Sequence, residues 1–201
     1  MVMSIDQTAL IMLDLQNEMV HPDGKIGGGG LAQAVADRGV LENAAHLLAI
    51  ARDQGVRIVH VRLGFRSDYA DVMSRAPRIA NLKANQACQI GAWGTEFHAS
   101  VSPLEGEYVV TKQCVNPFYN TGLMNYLHRY DCTDLILCGT VTNLVVESAT
   151  RAADDAGFAV TVVEDACAAP NAELHEFAVS KILPMFGRVE TTEKIAAEMR
   201  A

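Results

Sequence analysis

The chain has 201 residues, half of them hydrophobic and a fifth charged, and carries a net charge of −8. That length suits one domain, residues 1–201, with a sizeable core, and the acidic balance sets its surface against phosphate backbones, so nucleic acid is not an expected partner. No apolar run reaches the roughly 18–20 residues that cross a bilayer, and the start, MVMSIDQTALIMLDLQ, has no basic segment before its apolar stretch, so it reads as a first strand of a cytoplasmic protein rather than a secretory signal.

In chain order, the β-rich run Thr8–Gln16 opens the fold. The loop HPDGKIGGGG follows; it lacks the Lys-Ser/Thr ending of a phosphate-binding loop and reads as a linker or a lid. Residues Leu41–Arg52 repeat apolar side chains at helical spacing and stop before Gly55, and Val56–Leu63 is the second strand. The stretch from Gly64 to Pro103 is irregular and rich in arginine, aromatic and turn residues; a loop this long in a compact domain is usually functional. Glu107–Cys114 is the third strand, Asn120–Tyr130 a helix capped by Asn120 or Thr121, Asp134–Gly139 the fourth strand, and Asn143–Gly157 a helix. Phe158–Cys167 is the fifth strand and Asn171–Leu183 another helix, before GRVE and TTEKIAAEMR end the chain.

Strands that alternate with helices and read as nearly continuous apolar runs predict a parallel sheet covered on both faces. Ligands then bind at the carboxyl ends of the strands. Those ends carry Asp14, His60 with Arg62, Lys112 and Gly139. An Asp and a Lys leaving neighbouring strands can pair across the cleft and tune each other's pKa, although an ordinary structural ion pair is an equal expectation. The five cysteines, Cys88, Cys114, Cys132, Cys138 and Cys167, are odd in number and irregular in spacing with no C-x-x-C, which argues against a disulfide framework or a zinc site. At least three should be buried as small hydrophobes.

Three blocks carry a resemblance: LIMLDLQNEMV with Asp14, VVTKQCVNPFYNTGL with Lys112, and LILCGTVTNLVVESATRAADDAGFAVTVVEDAC with the turn Gly139–Asn143. Together, from Ala9 to about Glu190, they resemble the isochorismatase-like hydrolase superfamily. The resemblance implies a three-layer α/β/α sandwich with a six-stranded parallel sheet, a homo-oligomer (dimer or tetramer), and a small-molecule substrate. Most members are amidohydrolases with an Asp–Lys–Cys triad, whose first two positions match Asp14 and Lys112. The cysteine position falls on Val145, which has no lone pair and cannot form an acyl-enzyme. Members that cleave a vinyl ether need only the acid and the lysine, with Asp14 as general acid. A glutamine that those enzymes use after the second strand corresponds to Leu63, which argues against isochorismate itself. The family's cis peptide would fall at Thr140–Val141, aiming the N–H groups of Val141 and Val145 into the cleft as an oxyanion or carboxylate site. HVRLGFRSD lacks the Asp-x-His pair of the metal-dependent members, so neither metal nor cofactor is expected.

Other side chains are candidates by residue type. Cys114, two residues after Lys112 on an extended segment, would point the same way and could be a substitute nucleophile if the lysine made it partly thiolate; a packed cysteine is the simpler reading. Arg62, Arg66, Arg75 and Arg78 offer the forked guanidinium that suits a carboxylate, though any single one is more simply a solvated surface residue. Trp93, Phe97, Phe118 and Tyr119 wall an apolar pocket or pack at a subunit interface. His60 reads as a satisfied core histidine, and Glu147 and Asp165 as structural. Three functions remain open: a cysteine-independent hydrolase of a small carboxylated molecule, an amidohydrolase using Cys114 or an Asp14-activated water, and a non-catalytic small-molecule binder.

Overall fold

The computed structural model describes residues 4–201. Its strands are β1 (Thr8–Leu13), β2 (Arg57–Leu63), β3 (Tyr108–Lys112), β4 (Asp134–Thr140), β5 (Ala159–Ala168) and β6 (Arg188–Glu190). Its helices are α1 (Asn17–Val20), α2 (Leu31–Asp37), α3 (Val40–Asp53), α4 (Pro77–Ala84), α5 (Leu123–Arg129), α6 (Glu147–Asp155), α7 (Ala172–Phe177) and α8 (Thr192–Met199). The strands form one sheet in the order β3-β2-β1-β4-β5-β6, every pair parallel. Side chains alternate across a sheet, yet every residue of β1 is buried, so helices cover both faces and the three-layer α/β/α architecture follows.

The strand order reverses beside β1. β2 and β3 lie on one side, β4 to β6 on the other, and crossovers leaving in opposite directions open a crevice at the carboxyl ends of β1 and β4. β4 can approach β1 there because Gly139 has no side chain: its φ is 123°, and a Cβ would collide with the Leu13 carbonyl.

Several boundaries differ from the sequence reading, each for a local reason. β1 stops at Leu13 because Asp14 enters the left-handed region with φ 52°. The fifth helix begins at Leu123 behind Gly122 rather than at Asn120, whose own φ is 54°; Thr121 contributes through its hydroxyl, which accepts from the Leu123 N–H at 3.3 Å. The segment Gly64–Pro103 is not wholly irregular, since Pro77 opens α4. Gly30 is followed at once by α2, a helix that the polar loop masked. Of the five cysteines, all unpaired, four are buried and Cys114 is half-buried.

His60, in the middle of β2, is fully buried with Nε2 2.8 Å from Glu107 Oε2, and Phe97 lies edge-on at 5.4 Å. Glu107 also receives Arg52 through two bonds of 2.7 and 2.9 Å. Burial pushes His60 below its usual 6.5, outweighing the attraction of Glu107. Glu107 lies at about 2: burial opposes ionisation, but Arg52, the Leu104 N–H and His60 together outweigh it. The unfolded chain therefore protonates His60 first, and stability present above pH 6.5 is lost as pH falls through the lower folded value. Urea unfolding should show His60, with His98 and His175, lowering stability as pH falls from 8 towards 5, against the opposite contribution of Asp14, whose pKa is raised. His60→Gln should remove its share of that lowering; an unchanged slope would refute the assignment.

Candidate active site

The crevice is built around two charges from strands that are not neighbours. Asp14 follows β1 and Lys112 ends β3, with β2 between them. The sequence reading took their strands as adjacent; a span of two strand spacings, roughly 10 Å, is instead bridged by the long lysine stem. Lys112 Nζ donates to Asp14 Oδ2 at 2.7 Å, and both residues are 1% exposed. The Asp14 backbone is tied on both sides: its N–H donates to Val61 O at 2.9 Å, and its carbonyl accepts from the Thr140 hydroxyl at 3.2 Å. Its second carboxylate oxygen, Oδ1, is buried and meets no donor among the described residues. Burial raises the Asp14 pKa, and the charge and hydrogen bond of Lys112 only partly oppose it.

After β4 the Thr140–Val141 peptide is cis. The Val141 carbonyl then accepts from the N–H groups of Leu144 (3.1 Å), Val145 (2.9 Å) and Val146 (3.2 Å), forming a π-helical turn, Thr142–Val146, ahead of α6. This revises one expectation. The Val145 N–H is committed to Val141 and is not offered to the cleft.

Asp14, Lys112, Thr140, Val141, Leu144 and Val145 line a common pocket of about 260 Å³. Met19, Ile26, Phe65, Ile79 and Leu82 make its walls apolar. Two cations line it as well. Lys25 reaches from the glycine-rich loop and donates to Gln86 O at 2.8 Å, and Arg78 stands in the first turn of α4 with no hydrogen-bond or ion-pair partner among the described residues. Sequence reasoning missed Lys25, which no spacing marks. It included Arg78 among four arginines without a means of choosing; Arg66, by contrast, pairs with Asp68 at the surface.

Cys114 lines the pocket, as do Lys112 and Gln113. Its thiol donates to Asn116 O at 3.1 Å, and burial pushes its pKa above 9 despite Lys112. Both features go with the simpler reading, a packed cysteine, more than with the thiolate alternative. Arg62, Arg75, Trp93, Phe97, Phe118 and Tyr119 do not line the pocket. Leu63 faces it, so Arg62, one residue earlier, projects from the opposite face, donating to Thr111 Oγ1 at 3.0 Å and lying over Phe97. Phe97 belongs with that cluster. Trp93 is exposed against the edge of His21, Phe118 packs against Phe158, and Tyr119 is 63% exposed. Among the described residues no group of three or more His, Cys, Asp or Glu is arranged to hold a metal.

A family model described as the isochorismatase domain matches residues 8–194. The isochorismatase family protein YecD of Escherichia coli O157:H7 is 32% identical over 94% of both chains. Maleamate amidohydrolase of Pseudomonas putida is 26% identical, covering 96% of this chain and 86% of its own. A crystal structure of a cysteine hydrolase from Pseudomonas syringae pv. phaseolicola superposes with a TM-score of 0.90 at 24% identity, covering 100% of this chain and 95% of that one, a likeness of fold.

The protonation state of Cys114 is directly measurable. Iodoacetamide at pH 7, read by mass spectrometry, should label Cys114 more slowly than a free cysteine. Faster labelling would mean a thiolate and reopen its candidacy as nucleophile.

Proposed function

Because the chain belongs to the isochorismatase family, we propose that it is a hydrolase of a small carboxylated molecule in which Asp14 and Lys112 supply acid–base chemistry and no cysteine takes part. One observation carries this reading: the buried Asp14 Oδ1 meets no donor among the described residues, while Oδ2 is held by Lys112. A carboxyl group so placed has one oxygen anchored and one left to exchange a proton with a ligand. Its raised pKa favours the protonated acid. Lys112 orients the group and stabilises the carboxylate left after proton transfer.

For an enolpyruvyl ether the sequence is complete without a nucleophilic side chain. Asp14 gives its proton to the enol carbon, and water adds to the oxocarbenium ion. The hemiketal then collapses to pyruvate and an alcohol, and the proton lost by the added water restores Asp14. Val145 gives the pocket an apolar surface where the family's cysteine would stand. Arg78, which lines the pocket and has no partner among the described residues, suits a substrate carboxylate in a protein whose net charge would otherwise repel it.

The maleamate amidohydrolase relative favours a second reading. Its substrate, by name, carries a carboxylate and an amide. In that case Asp14 acts as carboxylate, taking a proton from the water that attacks the amide carbon and passing it to the nitrogen as the C–N bond breaks and ammonia leaves. The pH dependence has opposite signs in the two cases. The vinyl-ether route needs protonated Asp14 and slows as pH rises through its raised pKa; the amide route needs the carboxylate and slows as pH falls.

Pyruvate release from enolpyruvyl ethers and ammonia release from amides and ureides, assayed in parallel with wild type and Asp14→Asn, separate these readings. The expected result is pyruvate, reduced about 10²–10⁴-fold in Asp14→Asn. Ammonia that depends on Asp14 would select the amide route, and products indifferent to Asp14 would overturn both. Arg78→Met should raise KM by about tenfold or more, the scale of a charged hydrogen bond, with kcat within about twofold. An unchanged KM would remove Arg78 from substrate binding.

A further inference from the structure

The turn Thr140–Val146 has a second side. Thr140, Val141, Leu144 and Val145 line the pocket, but Thr142 does not, and it is fully buried. Its hydroxyl lies 2.9 Å from His175 Nδ1. His175, on α7, is 2% exposed, and its Nε2 is 3.4 Å from Glu164 Oε2. That same oxygen accepts from Arg38 at 2.7 Å, and Arg38 also donates to the carbonyls of Glu164 and Cys167 at 3.1 and 3.0 Å. A chain of side chains thus runs from the α2–α3 junction, across the carboxyl end of β5, through α7, to the turn beside Asp14.

Partner chemistry fixes the direction of the bonds. The Glu164 carboxylate only accepts, so His175 Nε2 carries the proton and donates. Nδ1 is then the acceptor for the Thr142 hydroxyl. Burial, helped by Arg38, lowers the His175 pKa and keeps the ring in this neutral tautomer. Threonine, histidine and glutamate in this order have the residue types of a nucleophile triad. Thr142 is sealed from the pocket, however, and reaches no substrate.

We propose that His175 is a positioning residue: through Thr142 it holds the Thr140–Val146 turn in register with Asp14 and Lys112. The proposal rests on the reading of this pocket as a hydrolytic site. The turn needs such an anchor because its amide groups converge on one acceptor. Three N–H groups share the Val141 carbonyl, so the backbone has weaker restraint there than in a regular helix, where each N–H has its own acceptor. A buried side-chain bond from the far side fixes the rotation of the turn and with it the surface presented by Val141 and Val145.

The test combines amide hydrogen exchange with kinetics in His175→Ala, His175→Asn, Thr142→Val and Thr142→Ser. In His175→Ala and Thr142→Val the amides of Leu144, Val145 and Val146 should exchange at least about tenfold faster, with β1 unchanged. Asn keeps an acceptor near the Nδ1 position and Ser keeps the hydroxyl, so both should restore much of the protection. With the substrate found above, kcat should fall about tenfold in the Ala and Val variants, with KM within about twofold. Unchanged exchange at the turn would overturn the proposal. So would acceleration spread equally over β1 in all four variants, the mark of a merely structural residue. Local acceleration together with a wild type that releases neither pyruvate nor ammonia would support the anchoring role and overturn the hydrolase reading instead.

Discussion

The buried pair of Asp14 and Lys112 is the interaction around which the crevice is organised. Two charges removed from water cost several kcal/mol each, and their attraction offsets this only when geometry is good and the remaining polar atoms are satisfied. Here one carboxylate oxygen is satisfied and the other is not. The fold supplies what holds the deficit in place. Asp14 has its N–H bonded to β2 and its carbonyl bonded to Thr140 of β4, so the residue is fixed from both sides. Its left-handed φ turns the carboxyl out of the strand direction and towards Lys112. Gly139 allows β4 close enough for the Thr140 bond to form. An under-satisfied buried acid retained with this much support is characteristic of a site whose stability has been traded for reactivity.

Electrostatics separate the pocket from the surface that surrounds it. The chain is acidic overall, yet Lys25, Arg78 and Lys112 converge on a cavity that contains a single carboxyl group. Apolar walls lower the local dielectric and lengthen the reach of those charges. Such a pocket suits a small anion, set beside an acid that burial keeps from ionising easily. The cysteines add nothing to this, because each of those with a shifted pKa is pushed upward by burial.

The sheet was legible because parallel strands covered on both faces write themselves as apolar runs. Thr8–Leu13 and Asp134–Thr140 are plain in the sequence for that reason. Asp14 and Lys112 were legible as charged residues ending such runs. Their pairing across an intervening strand was not, because strand order is a property of the crossovers rather than of any strand. Side-chain direction decided the remaining candidates. Arg62 and Leu63 are consecutive, and one position moves a side chain to the other face of the sheet. The aromatics Trp93, Phe97, Phe118 and Tyr119 carry no such parity signal, since they lie outside the strands of the sheet. Arg78 could be chosen only once α4 placed it over the crevice and left it without a partner among the described residues. Of the His175–Glu164–Arg38 chain, no spacing gave a hint; its members lie 11 and 126 residues apart in sequence.

Val145 then takes its meaning from both sides of the turn. A cysteine at this place would act through its side chain, and acyl transfer would require that sulfur. Everything else around the turn is independent of it: the Asp14–Lys112 pair, the Thr140 bond to Asp14, the three amides gathered on Val141, and the buried bond from Thr142 to His175. Valine is close to cysteine in size and meets the packing demand of a position that is 5% exposed. A nucleophile can therefore be lost here without disturbing the acid or the architecture that holds it. Under the proposed reading proton transfer is the chemistry that remains, and the substrates within its reach are those whose bonds break once a proton arrives or a water is activated. The pocket's geometry is set by the Asp14–Lys112 pair, the Thr140 bond to Asp14 and the Thr142 bond to His175, none of which involves the Val145 side chain.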